Sequence, residues 1–271
     1  TSNTEALTLI SDIFLNRIKR FSILDSVVTV QNYAPSVDNN TQLRSMKLNH
    51  LRWLNTGDRH QAQGSVVVNG LSSNNLQLTL DLQGERSSEL TGQVYLQANH
   101  IDITPWLDNL LALDNDKTKT DINFSAWLAV NNSEFNRLQV DFADSTINWL
   151  FADEAQRLTL ASGQLLLIND STEQSFKLYT TPISLQLNED KSPLFSAMLA
   201  KEADDFSLYL SEVDVAMLAQ LTPLLVAKET TRNLLSQMAL MGTVENLYVR
   251  KQGNDVQVVT NFTEFTNSYS Y

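Results

Sequence analysis

Leu76, Leu78, Leu80 and Leu82 alternate with Gln77, Thr79, Asp81 and Gln83. Successive side chains of a strand point to opposite faces, so this run builds a sheet segment that is aliphatic on one side and wet on the other. A helix would scatter the same leucines around its circumference. The period returns at Leu90, Gly92, Val94, Leu96 and Ala98, and again at Ile122, Phe124, Ala126, Leu128 and Val130. Shorter versions stand at Leu138/Val140/Phe142, Ile147/Trp149/Phe151, Ile183/Leu185/Leu187 and Phe206/Leu208/Leu210. About fourteen such segments with polar turns between them predict a mainly β chain, a long antiparallel meander.

The turns fit that reading. Asn39 and Asn40, Asn131 and Asn132, and Asn188 to Asp190 fall between the apolar runs. Asn and Asp tolerate left-handed backbone and bond their own main chain. Gly is only 8 of 271 residues, so these side chains do the turning that Gly does elsewhere.

About four short helices interrupt the strands. Leu7, Ile10, Phe14 and Ile18 share one helical stripe, with Arg17, Lys19 and Arg20 at its C-terminal end, where the helix dipole favours cations. Thr104 and Pro105 read as a cap followed by proline at the first helical position of a helix near 105–113. A third helix near 215–222 follows Asp214 and is stopped by Pro223. A fourth, near 231–241, carries Leu234, Leu235, Met238 and Met241, with Gly242 as its stop. Strand, apolar-Asp-apolar, short helix occurs twice, around Asp102 and around Asp214. The pattern predicts an amphipathic helix or connector over 1–20, a first β-unit over 21–155 and a second over 156–271.

So many one-faced strands need a cover on the apolar side, and four short helices are too few. The sheet therefore closes on itself as a sandwich or barrel, or stays partly open as an apolar trough.

Chemistry is sparse. Cys is absent, which removes disulfides, thiolate catalysis and Cys-ligated metals. Lys+Arg is 19 against Asp+Glu 31, and a net charge of −12 repels a phosphate backbone, so nucleic acid is excluded as a general partner. His50, His60 and His100 sit in separate contexts and read as surface or sheet-edge residues, not metal ligands. The run from Asp114 to Asp121 lacks the glycine and the terminal glutamate of a calcium loop. The carboxylate pairs Asp153/Glu154 and Asp204/Asp205 fall in turns, and no nucleophile elbow or phosphate-binding glycine loop occurs. Trp53, Trp106, Trp127 and Trp149 are a conceivable carbohydrate platform, with packing the simpler role. No catalytic residue, metal site or cofactor is assigned. No run reaches the roughly 18 apolar residues of a membrane span. The final residues, 261–271, read as a strand cut in passing, as in an excerpt of a longer protein.

Four segments carry a resemblance. They are 52–64 (RWLNTGDRHQAQG), 90–107 (LTGQVYLQANHIDITPWL), 121–128 (DINFSAWL) and 213–225 (VDVAMLAQLTPLL). In this order they resemble the AsmA-like superfamily of Gram-negative bacteria, over roughly residues 22–250. The resemblance implies a middle piece of a long periplasmic β-structure whose parent chain is anchored in the inner membrane by a segment outside this sequence. It implies repeating sheets curled into a hydrophobic groove, a role in moving phospholipid between inner and outer membrane, and no catalytic residues.

The resemblance and the alternation meet at one arrangement: an antiparallel, twisted meander curled into a groove for acyl chains. The residues expected to line it are Leu76, Leu78, Leu80, Leu82, Leu90, Val94, Leu96, Ile122, Phe124, Leu128 and Val130. The expected ligand is phospholipid, held by its acyl chains. The competing arrangement is a closed β-sandwich that acts as a scaffold or protein-binding module of the cell envelope. A third, a hydrolytic β-domain, requires two carboxylates across a cleft beside Trp127 or Trp149.

Overall fold

The computed structural model describes residues 12–31, 43–68, 76–104, 118–151, 154–203, 205–217, 220–221 and 240–267. They form seventeen strands, and each registered pairing is antiparallel. The chain separates into two compact units. One holds Thr1–Ile101 with Ser125–Arg137, the other Asp102–Phe124 with Leu138–Tyr271.

The first unit is a meander of β1 (Arg20–Gln31), β2 (Leu43–Thr56), β3 (Arg59–Val68), β4 (Leu76–Gln83) and β5 (Thr91–Ile101), each paired with the next. The end of β6 (Lys119–Asn131) and the start of β7 (Glu134–Phe142) belong to the same unit. Asn132 and Ser133 join them with positive φ, the left-handed turn foreseen for this Asn pair. Before β1 runs a single π-helical turn, Ile13–Arg17, which buries Leu15.

The second unit contains two ladders. In the smaller, the start of β6 pairs with β8 (Ser145–Phe151), β8 with β9 (Glu154–Leu160), β9 with β12 (Leu185–Leu187) and β12 with β13 (Asp190–Lys191). Trp149, Leu187, Met217 and Leu221 pack there as a buried cluster, flanked by Ile147, Leu158 and Leu185. The larger ladder runs β10 (Gly163–Asp170), β11 (Ser175–Thr180), β14 (Ala197–Glu202), β15 (Asp205–Asp214), β16 (Leu240–Gln252) and β17 (Asp255–Asn267).

Three expectations change. Leu240, Met241 and Gly242 belong to β16 and not to a helix; Gly242 has φ 121 inside the strand, so it bends a strand where it was read as stopping a helix. His60 is fully buried. Lys119–Asp121, read as loop, is strand, with Thr118 and Thr120 buried beside it. Residues 215–217 and 220–221 are helical, in agreement with the third helix. The helix near 105–113 and most of that near 231–241 lie outside the described residues, as do Leu7, Ile10 and Trp106.

Asp102 and Asp214 end their strands in the same way. The Asp102 carboxylate accepts from the Thr104 N–H at 2.9 Å and the Thr120 hydroxyl at 2.7 Å, and Asp214 accepts from the Met217 N–H at 2.8 Å. Asp214 thereby satisfies an orphan donor where β15 turns into the helical residues 215–217, and Asp102 satisfies the Thr104 N–H just past β5. The recurring Asp at the end of a strand thus has a mechanical reason.

Candidate functional site

The site is a face, and register builds it. In the first unit Phe21 stands opposite Trp53, Trp53 opposite Ala62, Ala62 opposite Leu80 and Leu80 opposite Val94. The next row is Ile23, Leu51, Gly64, Leu78 and Leu96, and a third holds Leu48, Val66, Leu76 and Ala98. Because directly opposed residues share a face, these rows form one aliphatic surface across β1–β5. Ala62, Val66 and Ala98 are buried, whereas the leucines of β4 remain partly exposed. The opposite face carries Arg52, Gln61, Gln63, Thr79, Asp81, Gln93 and Gln97.

Of the predicted lining residues, Leu76, Leu78, Leu80, Leu82, Val94 and Leu96 lie together on this surface. Leu90 precedes β5; its N–H is held by the Ser133 hydroxyl at 3.1 Å and its carbonyl accepts from the Ser133 N–H. The rings of Tyr95 on β5 and Trp127 on β6 lie 5.3 Å apart, and the Tyr95 hydroxyl reaches that of Ser125 at 3.2 Å. That contact fixes Ser125 and Trp127 on the polar face, so Leu128 and Val130 project to the aliphatic side by alternation. Ile122 and Phe124 fall in the second unit, Ile122 buried.

Phe21, Ile23, Leu48, Leu51, Trp53, Ala62 and Val66 also belong to the surface and were not picked out from the sequence. The reason is a bulge. Register slips between Leu48 and His50, so Leu48 and Leu51 share a face although their spacing is odd. Asp25, opposite the slip, has φ 44. Alternation counted along one strand loses its phase there.

The second unit repeats the construction. Leu167, Leu178, Leu199, Leu208, Val249 and Val258 stand opposite one another across β10, β11, β14, β15, β16 and β17. Val258, on β17, is 59% exposed, so the row ends open to solvent. None of these six is among the lining residues that the sequence predicts, though each lies in an alternating or apolar run.

One end of the first surface is closed by polar groups. Asn55 and His60 face each other in β2 and β3, with Leu82 and Gly92 completing their row. Asn55 Nδ2 donates to the carbonyls of Phe14 and Ile18, each at 2.6 Å. Asn55 Oδ1 accepts from the Trp53 indole at 2.6 Å and lies 2.8 Å from His60 Nδ1, while His60 Nε2 lies 2.7 Å from the Gly84 carbonyl oxygen. Phe21 stacks on Trp53 with ring centroids 5.7 Å apart, and Phe14 meets Phe21 at a tilt of 60° with centroids 5.0 Å apart. The π-helical turn is thereby fastened over the end of the aliphatic surface.

Glycine permits close approach on the same side. A Cβ on Gly64 would collide with the backbone of His50 and Leu51, and one on Gly92 (φ 150) with the backbone of Asp81 and Leu82. Electrostatics contribute little to the surface itself. Asp81, on the polar face, is held below the usual carboxylate range by its hydrogen bonds from Arg59. Trp127 packs at a tilt against Tyr95, and Trp149 is a core residue whose indole N–H meets no acceptor among the described residues. No helix among the described residues is long and apolar enough to cross a membrane.

Comparison with known proteins adds identity to this geometry. A family model, that of the YhdP protein, matches residues 1–269. The intermembrane phospholipid transporter YhdP of Escherichia coli (strain K12) is 25% identical over 232 residues, which cover 79% of this chain and 18% of that protein. The chain therefore spans less than a fifth of the relative it matches. None of the solved structures matches. The segments that read as AsmA-like, and within that group as most like YhdP, lie inside the matched span.

Proposed function

The chain belongs to the YhdP family, and from that premise we propose that it is a non-enzymatic lipid-transfer segment. It works in the periplasm, as part of a bridge anchored in the inner membrane through portions of the parent chain outside this sequence. The aliphatic surface of each unit curls into a groove that takes the acyl chains of phospholipid and leaves the headgroup in water.

The observation that carries this reading is the registered aliphatic surface, made of leucine, isoleucine, valine and alanine on five strands of one unit and repeated on six of the other. An acyl chain needs no polar partner. Burying a CH₂ group is worth about 0.8 kcal/mol, so a sixteen-carbon chain gains on the order of 10 kcal/mol from a dry trough. The close approaches at Gly64 and Gly92 support curvature toward the aliphatic side, since crowding of Cβ positions against neighbouring backbone belongs to a concave face. The family relative is named as an intermembrane phospholipid transporter.

Uptake of a fluorescent fatty-acid probe tests it. The native chain is expected to take up the probe, and Leu80→Glu and Leu208→Glu are each expected to lose most of that uptake while keeping the native far-ultraviolet circular dichroism. A charge facing a trough can stay hydrated; a charge facing a closed core cannot. Unfolding of both variants would identify closed cores and defeat the groove.

A further inference from the structure

We propose that the polar face of the first unit carries a second site, a cleft for a small phosphorylated polyol. The cleft has a volume of about 620 Å³ and is lined by Arg20, Ser22, Arg52, Gln63, Thr79 and Asp81, with Trp53, Leu54, Gln61, Ala62 and Leu80 between them. That size suits a small molecule. Ser22, Arg52, Gln63 and Thr79 stand in one register row across β1–β4, and Arg20 is two residues from Ser22 on the same face.

The charge of this cleft runs against that of the chain. Asp81, its one acidic residue, is saturated: it accepts from both Arg59 Nε and Nη2, and from Gln61 Nε2 at 3.1 Å. Arg59 thus neutralises Asp81, and Arg20 and Arg52 remain as uncompensated charges. Among the described residues neither has a carboxylate within ion-pair distance. Two guanidiniums without a carboxylate partner among the described residues, in a chain of net charge −12, make a local positive well. Arg52 is also oriented. Its Nε donates to His50 Nε2 at 3.0 Å, which leaves the two terminal nitrogens for a bidentate anion. Phosphate matches that fork, and the hydroxyls of Ser22 and Thr79 with the amide of Gln63 match the hydroxyls of a polyol. The aliphatic surface lies on the other side of the same strands, so a lipid held there by its acyl chains cannot place its headgroup in this cleft. The phosphate is either free or presented by a different lipid.

The test is titration of the whole chain with glycerol phosphate, and separately with glycerol, followed by the arginine Nε–Hε resonances. Glycerol phosphate is expected to shift Arg20 and Arg52 saturably, and glycerol to leave them unmoved. Arg52→Gln is expected to weaken binding about tenfold or more. Arg52→Lys, which keeps the charge and loses the fork, should weaken it too, whereas Arg157→Gln, an exposed arginine of the second unit, should not. Uptake of the fatty-acid probe should be unchanged in Arg52→Gln, which separates this site from the groove. Vesicles of phosphatidylcholine with and without phosphatidylglycerol distinguish the sources: Arg52-dependent binding to the doped vesicles alone assigns the phosphate to a lipid headgroup, and Arg52-dependent binding of glycerol phosphate alone assigns it to a soluble ligand. Equal affinity in the native chain and Arg52→Gln, for both probes, or glycerol binding as tightly as its phosphate, would overturn the proposal. If Arg52→Gln fails to fold, Arg20→Gln replaces it in each arm.

Discussion

Asn55 holds four groups with one side chain: two carbonyls of the π-helical turn, the Trp53 indole and the His60 ring. The carbonyls require its amide nitrogen and the indole requires its oxygen, so neither half can be exchanged. Asn55→Asp keeps the acceptor and loses the donor; Asn55→Ala loses both. Each orphaned buried group costs about 1–3 kcal/mol, so both variants are expected to lower stability by several kcal/mol, read as a fall in the urea midpoint. A loss under about 0.5 kcal/mol in Asn55→Asp would show that the turn is not fastened there. Asp102 gives a prediction with a pH sign. Burial pushes its carboxyl upward, but the hydrogen bonds from Thr104 and Thr120 outweigh it and hold the group below its ordinary value. A folded-state value below the unfolded one contributes stability above the unfolded pKa and loses it as the pH falls through the folded one. The stability gap between the native chain and Asp102→Asn should therefore be largest near about pH 6 and shrink by about pH 3. A gap that stays constant or widens in acid contradicts this assignment.

The strands are distorted from within, by glycines and bulges. Gly64 lies against the backbone of His50 and Leu51, next to the slip between Leu48 and His50. The required shift is in main chain, so Gly64→Ala should cost more than the roughly 1 kcal/mol of an ordinary strand change, and Gly57→Ala, with open space around it but positive φ, should cost only the backbone strain. Denaturant titration of the two variants compares them, and equal costs would remove the close approach as a device of the fold. The same features set what could be read from the sequence. The strands β4 and β5 were legible residue by residue, because nothing interrupts their phase from Leu76 to Leu82 or from Gly92 to Ala98. The contribution of β1 and β2 was not, because the bulge at Asn49 moves Leu51 and Trp53 onto the face of Leu48. His60 misled for another reason: its partners, Asn55 near the end of β2 and Gly84 just after β4, come to it only through strand register. Met241 was read as helical because its apolar neighbours fit a helical stripe, yet pairing opposite Thr266 places it in β16. Tertiary pairing overrode local periodicity.

The molecule has two units, one with aliphatic rows across five strands and the other with a row across six. An ordinary sheet of this kind buries that face in a core. Here the leucines of β4 stay partly exposed and the row of the second unit ends in exposed Val258. A face that is apolar in composition and incompletely covered is what an acyl-chain carrier requires. Native mass spectrometry of the purified chain, with lipid extraction from the same sample, tests that claim most directly. The account predicts mass increments that match extracted phospholipid and that disappear in Leu80→Glu. A folded chain that carries no lipid and takes none up from added phospholipid would contradict it.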